Sequence, residues 1–289
     1  MPQVTVCIPT YNRRRYLLEA LDSVFRQTWT DFEVLVVDDG STDGTAKTLR
    51  SYPHPIRYIY QENQGVAAAC NRLIAETRTP LVAWLGSDDL WLPEKLEKQM
   101  ALLEGKPERT IIYNPMMTID AKGNMRRRQG RPSPSGRITT LLFEHTFVPT
   151  ISVLMPTHLV SEVGGFDRRY RVCSDYRLLL MLSLSCNFVA YSKPLVMNRR
   201  HDTNLSANSF ANQSMKIAML EEFYYKLGGE AVIPRDTAMR RLSRECRKAA
   251  DFARQEKKRQ EARLFAQKAL GYQATPRTAI AYLAVRLGV

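Results

Sequence analysis

The sequence predicts an α/β fold in which helices flank a mainly parallel sheet, with a helical extension at the C-terminus. Short apolar runs that indicate buried strands alternate with segments of helical periodicity in the first part of the chain. Polar or acidic residues follow three of these runs, at the strand ends where parallel sheets bind ligands. From about Phe210 the pattern becomes almost wholly helical, with interruptions at Gly228-Gly229 and Pro276.

Four predicted strands open the chain, at residues 4–8, 32–37, 56–60 and 81–85. The segments between them have helical periodicity or helix-start signals. The first helix has apolar positions at helical spacing, the second has Ser41 or Thr42 as its predicted N-cap, and the third is rich in alanine. Strands joined by helices form right-handed crossovers, so these strands should lie parallel.

Shorter elements are predicted in the middle of the chain. They are a helix over 94–103, strands over 110–113, 150–155 and 188–197, and helices over 158–163 and 178–184. A hairpin turn is expected at 120–124. The basic triplet Arg126-Arg127-Arg128 and the Pro/Ser/Gly-rich segment 131–136 indicate an exposed, mobile loop.

The stretch 81–91 carries the strongest chemical signal. Its apolar run ends at Gly86, and two adjacent carboxylates, Asp88 and Asp89, follow. Two charges at the end of a buried strand need a cation or several hydrogen-bond donors. A divalent-metal site is therefore favoured over a simple turn in which one aspartate caps the next helix.

Composition and charge bound the class of protein. The 289 residues are 44% apolar and 25% charged, which is a globular composition. The five cysteines show no Cys-x-x-Cys spacing and no signal-peptide pattern precedes the first strand, so we expect the reducing cytoplasm. The net charge is −3 over residues 1–105, +6 over 106–137 and +8 over 210–289. The positive charge outside the N-terminal segment is suited to binding nucleic acid, anionic lipid or an anionic substrate.

A set of short motifs occurs in order along the chain. They are Pro-Thr-Tyr-Asn at 9–12, Val-Asp-Asp-Gly-Ser-Thr-Asp-Gly-Thr at 37–45, Asn63 with Gly65 and Asn71, Ser-Asp-Asp at 87–89, Gly-Gly-Phe-Asp at 164–167, Asp175 with its helix, and Arg-His-x-x-x-x-Ser at 200–206. Each motif is weak alone. The ordered set, over about residues 3–206, resembles family 2 glycosyltransferases of the GT-A fold.

The resemblance implies transfer of a sugar from a nucleotide-diphosphate donor, a UDP-sugar above others, to a hydroxyl of a glycan or lipid-linked acceptor. It also implies inversion at the anomeric carbon and a role in cell-surface polysaccharide synthesis. Asp175 matches the catalytic base, and the metal, Mg²⁺ or Mn²⁺, is placed on Asp88, Asp89 and His201. Donor-binding roles fall on residues after the strands, namely Thr10, Tyr11, Asn12, Asp39, Ser41, Gly65, Asn71 and Asp88.

The chemistry of such a transfer requires these residue types. A divalent metal neutralises the charge that develops on a leaving nucleoside diphosphate. A carboxylate that takes the proton of a sugar hydroxyl contributes about 10²–10⁴-fold to the rate. The chain departs from the family pattern at Gly86, where many relatives carry Asp, and at Ser174, where many carry Glu.

Other functions remain open at this level. A non-catalytic nucleotide-sugar-binding homologue is consistent with the two departures. A sugar nucleotidyltransferase needs a glycine-rich phosphate loop after the first strand, where this chain has Pro-Thr-Tyr-Asn. An RNA-binding protein lacks support because no aromatic-basic RNA motif is visible, and a Rossmann dehydrogenase because no G-x-G-x-x-G follows a strand.

We predict a GT-A domain at 1–209, with a nucleotide-binding half at 1–105 and an acceptor half at 106–209. A basic helical region follows at 210–289, in which several basic residues lie close together, namely Arg240, Arg241, Arg244, Arg247 and Lys248. Its apolar end, 279–289, is too short to span a bilayer. We expect this region to lie peripherally on an anionic membrane surface at the cytoplasmic face, or else to pack as a helical cover over the sheet.

Overall fold

The structure, a computed structural model, describes residues 2–128, 133–202 and 209–287. The strands are β1 (Val4–Thr10), β2 (Phe32–Asp39), β3 (Arg57–Gln61), β4 (Leu81–Trp84), β5 (Leu90–Trp91), β6 (Thr110–Tyr113), β7 (Met116–Asp120), β8 (Met125–Arg128), β9 (Leu154–Pro156), β10 (Asn187–Ala190) and β11 (Val196–Arg200). The α-helices are α1 (Arg14–Phe25), α2 (Thr45–Arg50), α3 (Val66–Glu76), α4 (Lys95–Leu103), α5 (Thr139–Glu144), α6 (Thr157–Glu162), α7 (Ser174–Ser183), α8 (Phe210–Lys226), α9 (Arg235–Gln255), α10 (Arg259–Tyr272) and α11 (Pro276–Leu287). Short 3₁₀ turns occur at Thr150–Ser152 and Gly229–Ala231.

The first compact unit, Met1–Ile138 with Thr146–His201, contains two sheets. The larger has seven strands in the order β10-β6-β9-β4-β1-β2-β3, and all of its pairs are parallel except those made by β9. The mainly parallel α/β architecture is therefore confirmed. The smaller sheet has the order β5-β11-β7-β8 and is mixed.

The core of this unit follows from the apolar runs in the strands. β1 and β2 are buried along most of their length, as expected for parallel strands that are covered on both faces. Helix α1 places Leu17, Leu21 and Val24 against this layer, and each is at most 1% exposed. Burial of each such side chain stabilises the fold by about 1.5–3 kcal/mol.

The single strand predicted over 188–197 is wrong, because the structure has two strands there. Proline has no backbone N–H to donate to a sheet, and Pro194 lies between them. β10 pairs with β6 in the large sheet, whereas β11 pairs with β5 and β7 in the small one. The strand predicted over 150–155 is likewise shorter, since a 3₁₀ turn occupies its first residues.

The basic triplet 126–128 lies in a strand rather than in the predicted loop. β8 forms an antiparallel hairpin with β7, and Asp120 accepts hydrogen bonds from the amides of Lys122 and Asn124 in the predicted turn. β8 is an edge strand of the small sheet. Residues 129–132, part of the predicted loop, lie outside the described residues.

The start of α2 also differs from the prediction. Its N-cap residue is Gly44, which has a left-handed backbone, and neither Ser41 nor Thr42 caps it. The carboxylate of Asp43 instead accepts hydrogen bonds from the amide and hydroxyl of Thr45, and also from the amide of Arg14. These bonds lower the pKa of Asp43 despite the opposing effect of its partial burial. The start of α2 is thereby tied to the start of α1.

The second compact unit, Thr139–His145 with Asp202–Val289, is helical in its described residues. Helix α9 packs against α8, α10 and α11. Its contact with α10 is built from buried alanines, including Ala250, Ala253, Ala262 and Ala266. Among the described residues, no helix is long and apolar enough to cross a membrane.

A buried carboxylate organises the charges on one face of α9. Glu245 is fully buried and lies within 3.5 Å of the side-chain nitrogens of Arg241, Lys216 and Lys248. Burial alone would raise the pKa of this carboxyl, but the neighbouring charges and a hydrogen bond from Gln213 lower it to about 2. Arg241 and Lys248, members of the predicted basic cluster, therefore pair within the protein.

Candidate active site

The loops that follow the strands meet at one edge of the large sheet, as predicted. β4, β1, β2 and β3 are parallel neighbours, and Thr10 at the end of β1 pairs with Asp38 near the end of β2. The amide of Asn12 donates to Ser41 Oγ at 2.8 Å, and Arg13 Nε lies 4.0 Å from Asp88 Oδ2. The polar residues of three separate motifs thus lie next to one another.

The loop after β1 combines rigid and open features. Asn12 has a left-handed backbone with φ of 51°, and its side-chain oxygen accepts a hydrogen bond from the amide of Thr42. The hydroxyl of Thr10 is buried without a hydrogen-bond partner among the described residues. Tyr11 is 48% exposed. A buried hydroxyl without a partner and an exposed aromatic ring in one loop are features that suit a bound ligand.

Asp38 and Asp39 hold the turns at this edge together. Asp39 is buried, and its carboxylate accepts hydrogen bonds from the side chain of Gln61 at 2.7 Å and from the amides of Gln64 and Gly65 at 2.9 and 2.8 Å. Asp38 accepts from the amide of Ser41 and the hydroxyl of Tyr58. Both carboxylates therefore serve the turns. The donor-binding role of Asp39, Ser41 and Gly65 stays a prediction.

Asn71 fixes the Gly-Gly-Phe-Asp turn. Its side-chain amide donates to the carbonyl oxygen of Phe166 and accepts from the amide of Phe166, both at 2.8 Å. A β-carbon at Gly165 would lie 2.6 Å from Asn71 Oδ1, so the close approach requires glycine there. The side chain predicted to bind the donor is engaged in holding this turn, and its donor-binding role remains untested.

The residues that were predicted to bind a metal make two separate sets of contacts. His201 Nε2 lies 2.9 Å from Asp88 Oδ2. Asp89 Oδ1 accepts hydrogen bonds from the side chain of Asn198 at 3.0 Å and from the amide of Arg199 at 2.8 Å. Burial, and next the charge of Asp88, raise the pKa of Asp89 to about 8 against the effect of these hydrogen bonds. The electrostatic setting of Asp89 is one that a cation would relieve.

The two carboxylates also share a space above Gly86. A β-carbon at Gly86 would lie 2.6 Å from Asp89 Oδ2 and 3.2 Å from Asp88 Oδ1, so one oxygen of each residue faces the same point. Carboxylate oxygens suit Mg²⁺ and Mn²⁺, and Mg²⁺ commonly takes one or two of them together with substrate phosphates. Among the described residues, no group of three or more His, Cys, Asp or Glu side chains is arranged to hold a metal ion. Asp88 and Asp89 thus fit as a pair of ligands, while the assignment of His201 to the metal stays a prediction.

Arg199 is a site residue that the sequence reasoning did not identify. The guanidinium is 1% exposed and donates to Glu19 Oε2 at 2.6 Å, to the carbonyl oxygen of Asp88 at 2.9 Å and to that of Ala121 at 3.3 Å. The ring of Tyr16 lies 4.8 Å from it and also stacks on His201. The spacing of the sequence could have indicated Arg199, because it is two residues before His201 and alternate residues of a strand share a face.

Asp175 lies in the first turn of α7, where Cys173 is the N-cap residue. Its two oxygens accept hydrogen bonds from the amide of Tyr176 at 2.7 Å and the hydroxyl of Thr150 at 3.2 Å. The carboxyl keeps an exposed surface but is surrounded by protein, and this surrounding raises its pKa while the two hydrogen bonds lower it. Asp175 is therefore an accessible carboxylate with an elevated pKa, a combination that suits a general base.

Contacts around the 3₁₀ turn Thr150–Ser152 bring Asp175 to the loop that follows β4. The hydroxyl of Thr150 donates to Asp175 at 3.2 Å, and the carbonyl oxygen of the next residue, Ile151, accepts a hydrogen bond from Trp91 Nε1 at 3.0 Å. Since Trp91 is two residues after Asp89, the start of α7 lies beside the Asp88-Asp89 turn. Ser206, the last residue of the Arg-His motif, lies outside the described residues.

Comparison with known families gives a consistent result. The sequence model of Glycosyl transferase family 2 matches residues 5–160. An uncharacterized glycosyltransferase of Rickettsia typhi is 30% identical over 217 residues, which are 73% of this chain and 68% of the relative. Chondroitin synthase of Escherichia coli is 34% identical over 238 residues, or 80% of this chain and 33% of that enzyme. The chain thus spans about a third of that longer relative.

Solved structures of other proteins have the same fold as this chain. The crystal structure of S. aureus TarS residues 1–349 in complex with UDP-GlcNAc superposes with a TM-score of 0.69 at 18% identity, covering 99% of this chain and 88% of that one. The mannosyltransferase PcManGT from Pyrobaculum calidifontis, in complex with GDP-Man and Mn²⁺, gives a TM-score of 0.62 at 16% identity, covering 99% and 86%. The architecture of this chain is that of GT-A glycosyltransferases.

The close packing above Gly86 leads to a stability prediction. Gly86→Ala should lower the free energy of unfolding by about 1–3 kcal/mol, because its β-carbon would displace the buried Asp89 carboxylate. Gly271→Ala in α10 is the matched control, since a β-carbon there meets open space and should leave stability unchanged or raise it by up to about 1 kcal/mol. Chemical denaturation measures both. A Gly86→Ala protein as stable as the control variant would contradict the packing described for Asp89.

Proposed function

Because the chain belongs to glycosyl transferase family 2, we propose that it transfers a sugar from a nucleotide-diphosphate donor to a hydroxyl of a glycan or lipid-linked acceptor. The observation that carries the proposal is the edge of the sheet where the loops after β1, β2 and β4 meet. The accessible carboxylate of Asp175 is linked to the loop after β4 through Thr150 and Ile151. The ligands in the complexes of TarS and PcManGT, UDP-GlcNAc and GDP-Man, support a nucleotide-sugar donor, and we infer a UDP-sugar.

The donor would lie across the loops after β1, β2 and β3. In this proposal the exposed ring of Tyr11 and the hydroxyl of Thr10 contact the nucleotide. Asp39 holds the Gln64-Gly65 amides in place and has one oxygen with a single partner, which leaves it able to accept a hydrogen bond from a base. Asn12 and Ser41 keep the two loops at a fixed separation.

The donor diphosphate needs positive charge as its bond to the sugar breaks. A divalent metal, Mg²⁺ or Mn²⁺, would supply it as a Lewis acid, held by the oxygens of Asp88 and Asp89 that face the space above Gly86. The Mn²⁺ of the PcManGT complex supports this choice. Within the chain, Arg199 fixes the backbone of Asp88, and Asn198 donates to the carboxylate of Asp89, so the turn and the Asp89 side chain are held before any ligand binds.

Asp175 would act as the general base. It removes the proton of the acceptor hydroxyl while that oxygen forms a bond to the anomeric carbon, and the bond from this carbon to the diphosphate oxygen breaks. Attack from the face opposite the leaving group inverts the configuration without a covalent intermediate. The hydrogen bonds from Thr150 and Tyr176 fix the carboxylate, and its exposed surface leaves room for an acceptor.

The C-terminal unit would hold the enzyme against an anionic membrane surface, where lipid-linked acceptors of cell-surface polysaccharides are found. In α11, Tyr282 and Val285 pack among the alanines of α9 and α10, whereas Ile280 and Leu283 are 66% and 51% exposed. This helix thus combines packed side chains at Tyr282 and Val285 with exposed apolar side chains at Ile280 and Leu283. A helix of this kind lies in a membrane interface when cationic residues flank it.

Substitution of the proposed base tests the mechanism. Asp175→Asn should keep nucleotide binding and lose transfer by about 10²–10⁴-fold, because the amide cannot accept the proton. In the wild type, transfer should fall as the pH drops through the raised pKa of Asp175, above the ordinary value of about 3.9. Thr150→Val removes a hydrogen bond that lowers this pKa, so its acid limb should move to higher pH. Near-normal transfer by Asp175→Asn would return Asp175 to a purely structural role.

The metal proposal is tested on donor binding. Asp89→Ala should abolish metal-dependent binding of the nucleotide donor, and Asp88→Ala should weaken it strongly, because each removes a carboxylate oxygen from the same point. Asp89→Asn keeps the side-chain volume and guards against misfolding, and Asp31→Ala at an exposed position is the control. Calorimetry with UDP and Mn²⁺, with and without EDTA, gives the affinities. Undiminished Mn²⁺-dependent affinity in both Asp89 variants would disprove the assignment.

The membrane proposal rests on the exposed apolar face of α11. Ile280→Ser with Leu283→Ser should reduce co-sedimentation with phosphatidylglycerol vesicles at low salt by at least about tenfold, since each buried aliphatic side chain is worth about 1.5–3 kcal/mol. Leu264→Ser is the control, because Leu264 is 53% exposed on α10. If the wild type does not bind vesicles, or if the double variant binds as the control does, the membrane role of α11 is wrong.

A further inference from the structure

The helical unit contains a cavity of about 390 Å³ whose lining includes Arg240, Arg244, Arg247 and Arg277. None of the described residues that line it is acidic. We propose that this cavity is a binding site for a phosphate group, either a phosphate monoester or a diphosphate. The proposal stands on the geometry of the helical unit alone and does not depend on the glycosyltransferase mechanism.

The spacing of the α9 arginines places three of them on one face of the helix. Positions 240, 244 and 247 follow the i, i+4, i+7 repeat and line the cavity. Positions 241 and 248 lie on the adjacent face, where Glu245 neutralises them. The basic cluster that looks uniform in the sequence is therefore divided. Arg244 lies both at the cavity and 3.4 Å from Glu245, whereas Arg240 and Arg247 line the cavity and form no ion pair with a carboxylate among the described residues.

The guanidinium groups retain donors for a ligand. Arg240 donates to Thr237 Oγ1 at 3.1 Å, and Arg244 donates to the carbonyl oxygen of Glu144 at 2.6 Å and lies 3.4 Å from Glu245 Oε1. Arg247 and Arg277 form no hydrogen bond or ion pair with the described residues. Each guanidinium has five N–H donors in a fork that matches phosphate oxygens, so most donors at the cavity are available.

The start of α11 adds the positive end of a helix to the same cavity. Thr275 and Thr278 cap each other, since each amide donates to the other hydroxyl at 2.8 and 3.2 Å. The amide of Ala279 donates to the carbonyl oxygen of Thr275, and Pro276 has no N–H. Within the described part of the chain, the amide of Arg277 has no acceptor. A phosphate at this position would accept from that amide and gain from the helix dipole.

The lining also restricts the kind of anion. Besides the arginines it consists of hydroxyl and amide side chains and one proline, with no aromatic residue among the described ones. Nucleic-acid bases therefore find no aromatic ring to stack on, and an acyl chain finds little apolar surface. A compact tetrahedral anion with several charged oxygens satisfies four guanidinium groups better than a single carboxylate does. A phospholipid headgroup and a soluble phosphate ester share this chemistry.

Calorimetric titration of the full chain with inorganic pyrophosphate tests the site. EDTA is present throughout, so that a metal-dependent site does not contribute. Arg247→Gln with Arg277→Gln should weaken binding by at least about tenfold, because each removes charge-assisted hydrogen bonds to the anion. The control is Arg254→Gln with Arg259→Gln, which changes the net charge equally at exposed positions outside the cavity. Equal thermal unfolding of both double variants establishes that the fold is intact.

Co-sedimentation with phosphatidylcholine vesicles containing phosphatidic acid identifies the source of the phosphate. Loss of pyrophosphate and vesicle binding in the cavity variant, but not in the control, supports the site and assigns a lipid headgroup. Loss of pyrophosphate binding alone supports the site and assigns a soluble phosphorylated ligand. If the wild type does not bind pyrophosphate, or if the cavity variant binds it as tightly as the control, the proposal is overturned.

Discussion

The geometry of the candidate site depends on the hydrogen bonds that the buried guanidinium of Arg199 donates. Removing such a charge from water costs several kcal/mol unless its donors are satisfied. Here Glu19 of α1 and the carbonyl oxygens of Asp88 and Ala121 satisfy them. One side chain from β11 thus fixes a helix, the Asp88-Asp89 turn and the β7–β8 hairpin against one another. The small sheet contributes to the site mainly because its strand β11 positions Arg199 and its neighbours.

The aspartates at the sheet edge differ in role because their surroundings differ. Asp39 accepts three hydrogen bonds from β3 and the loop that follows it, and it holds that loop in place while one of its oxygens has a single partner. Asp89 is buried beside a second carboxylate, and its hydrogen bonds from Asn198 and the amide of Arg199 compensate its charge only in part, so its pKa is raised. Asp175 is open to solvent at the start of a helix. In the proposed transfer, these three environments would serve as a rigid donor pocket, a place for a cation, and a base that meets the acceptor.

In the helical unit, too, the surroundings of a charged side chain determine its role. Glu245 neutralises one face of α9, and the alanines behind it allow α10 to approach closely. The arginines that remain meet the start of α11, where helix geometry already favours an anion. The helical unit thus has a polar cavity and, on α11, the exposed apolar side chains of Ile280 and Leu283. These surfaces suggest contacts with anionic and lipid partners.

The sequence by itself determined the parallel sheet, the convergence of its loops and the family, because alternating strand and helix patterns and ordered motifs are local features. It did not determine that 188–197 divides between two sheets or that 126–128 pairs as a strand, since both outcomes depend on partners distant in the chain. Arg199 and Glu19 are 180 residues apart, so no local pattern could reveal their pairing. Likewise, the division of the basic cluster between Glu245 and the cavity required the packing of α9 against its neighbours. Burial and long-range pairing decide the role of a charged side chain, and only the tertiary structure supplies them.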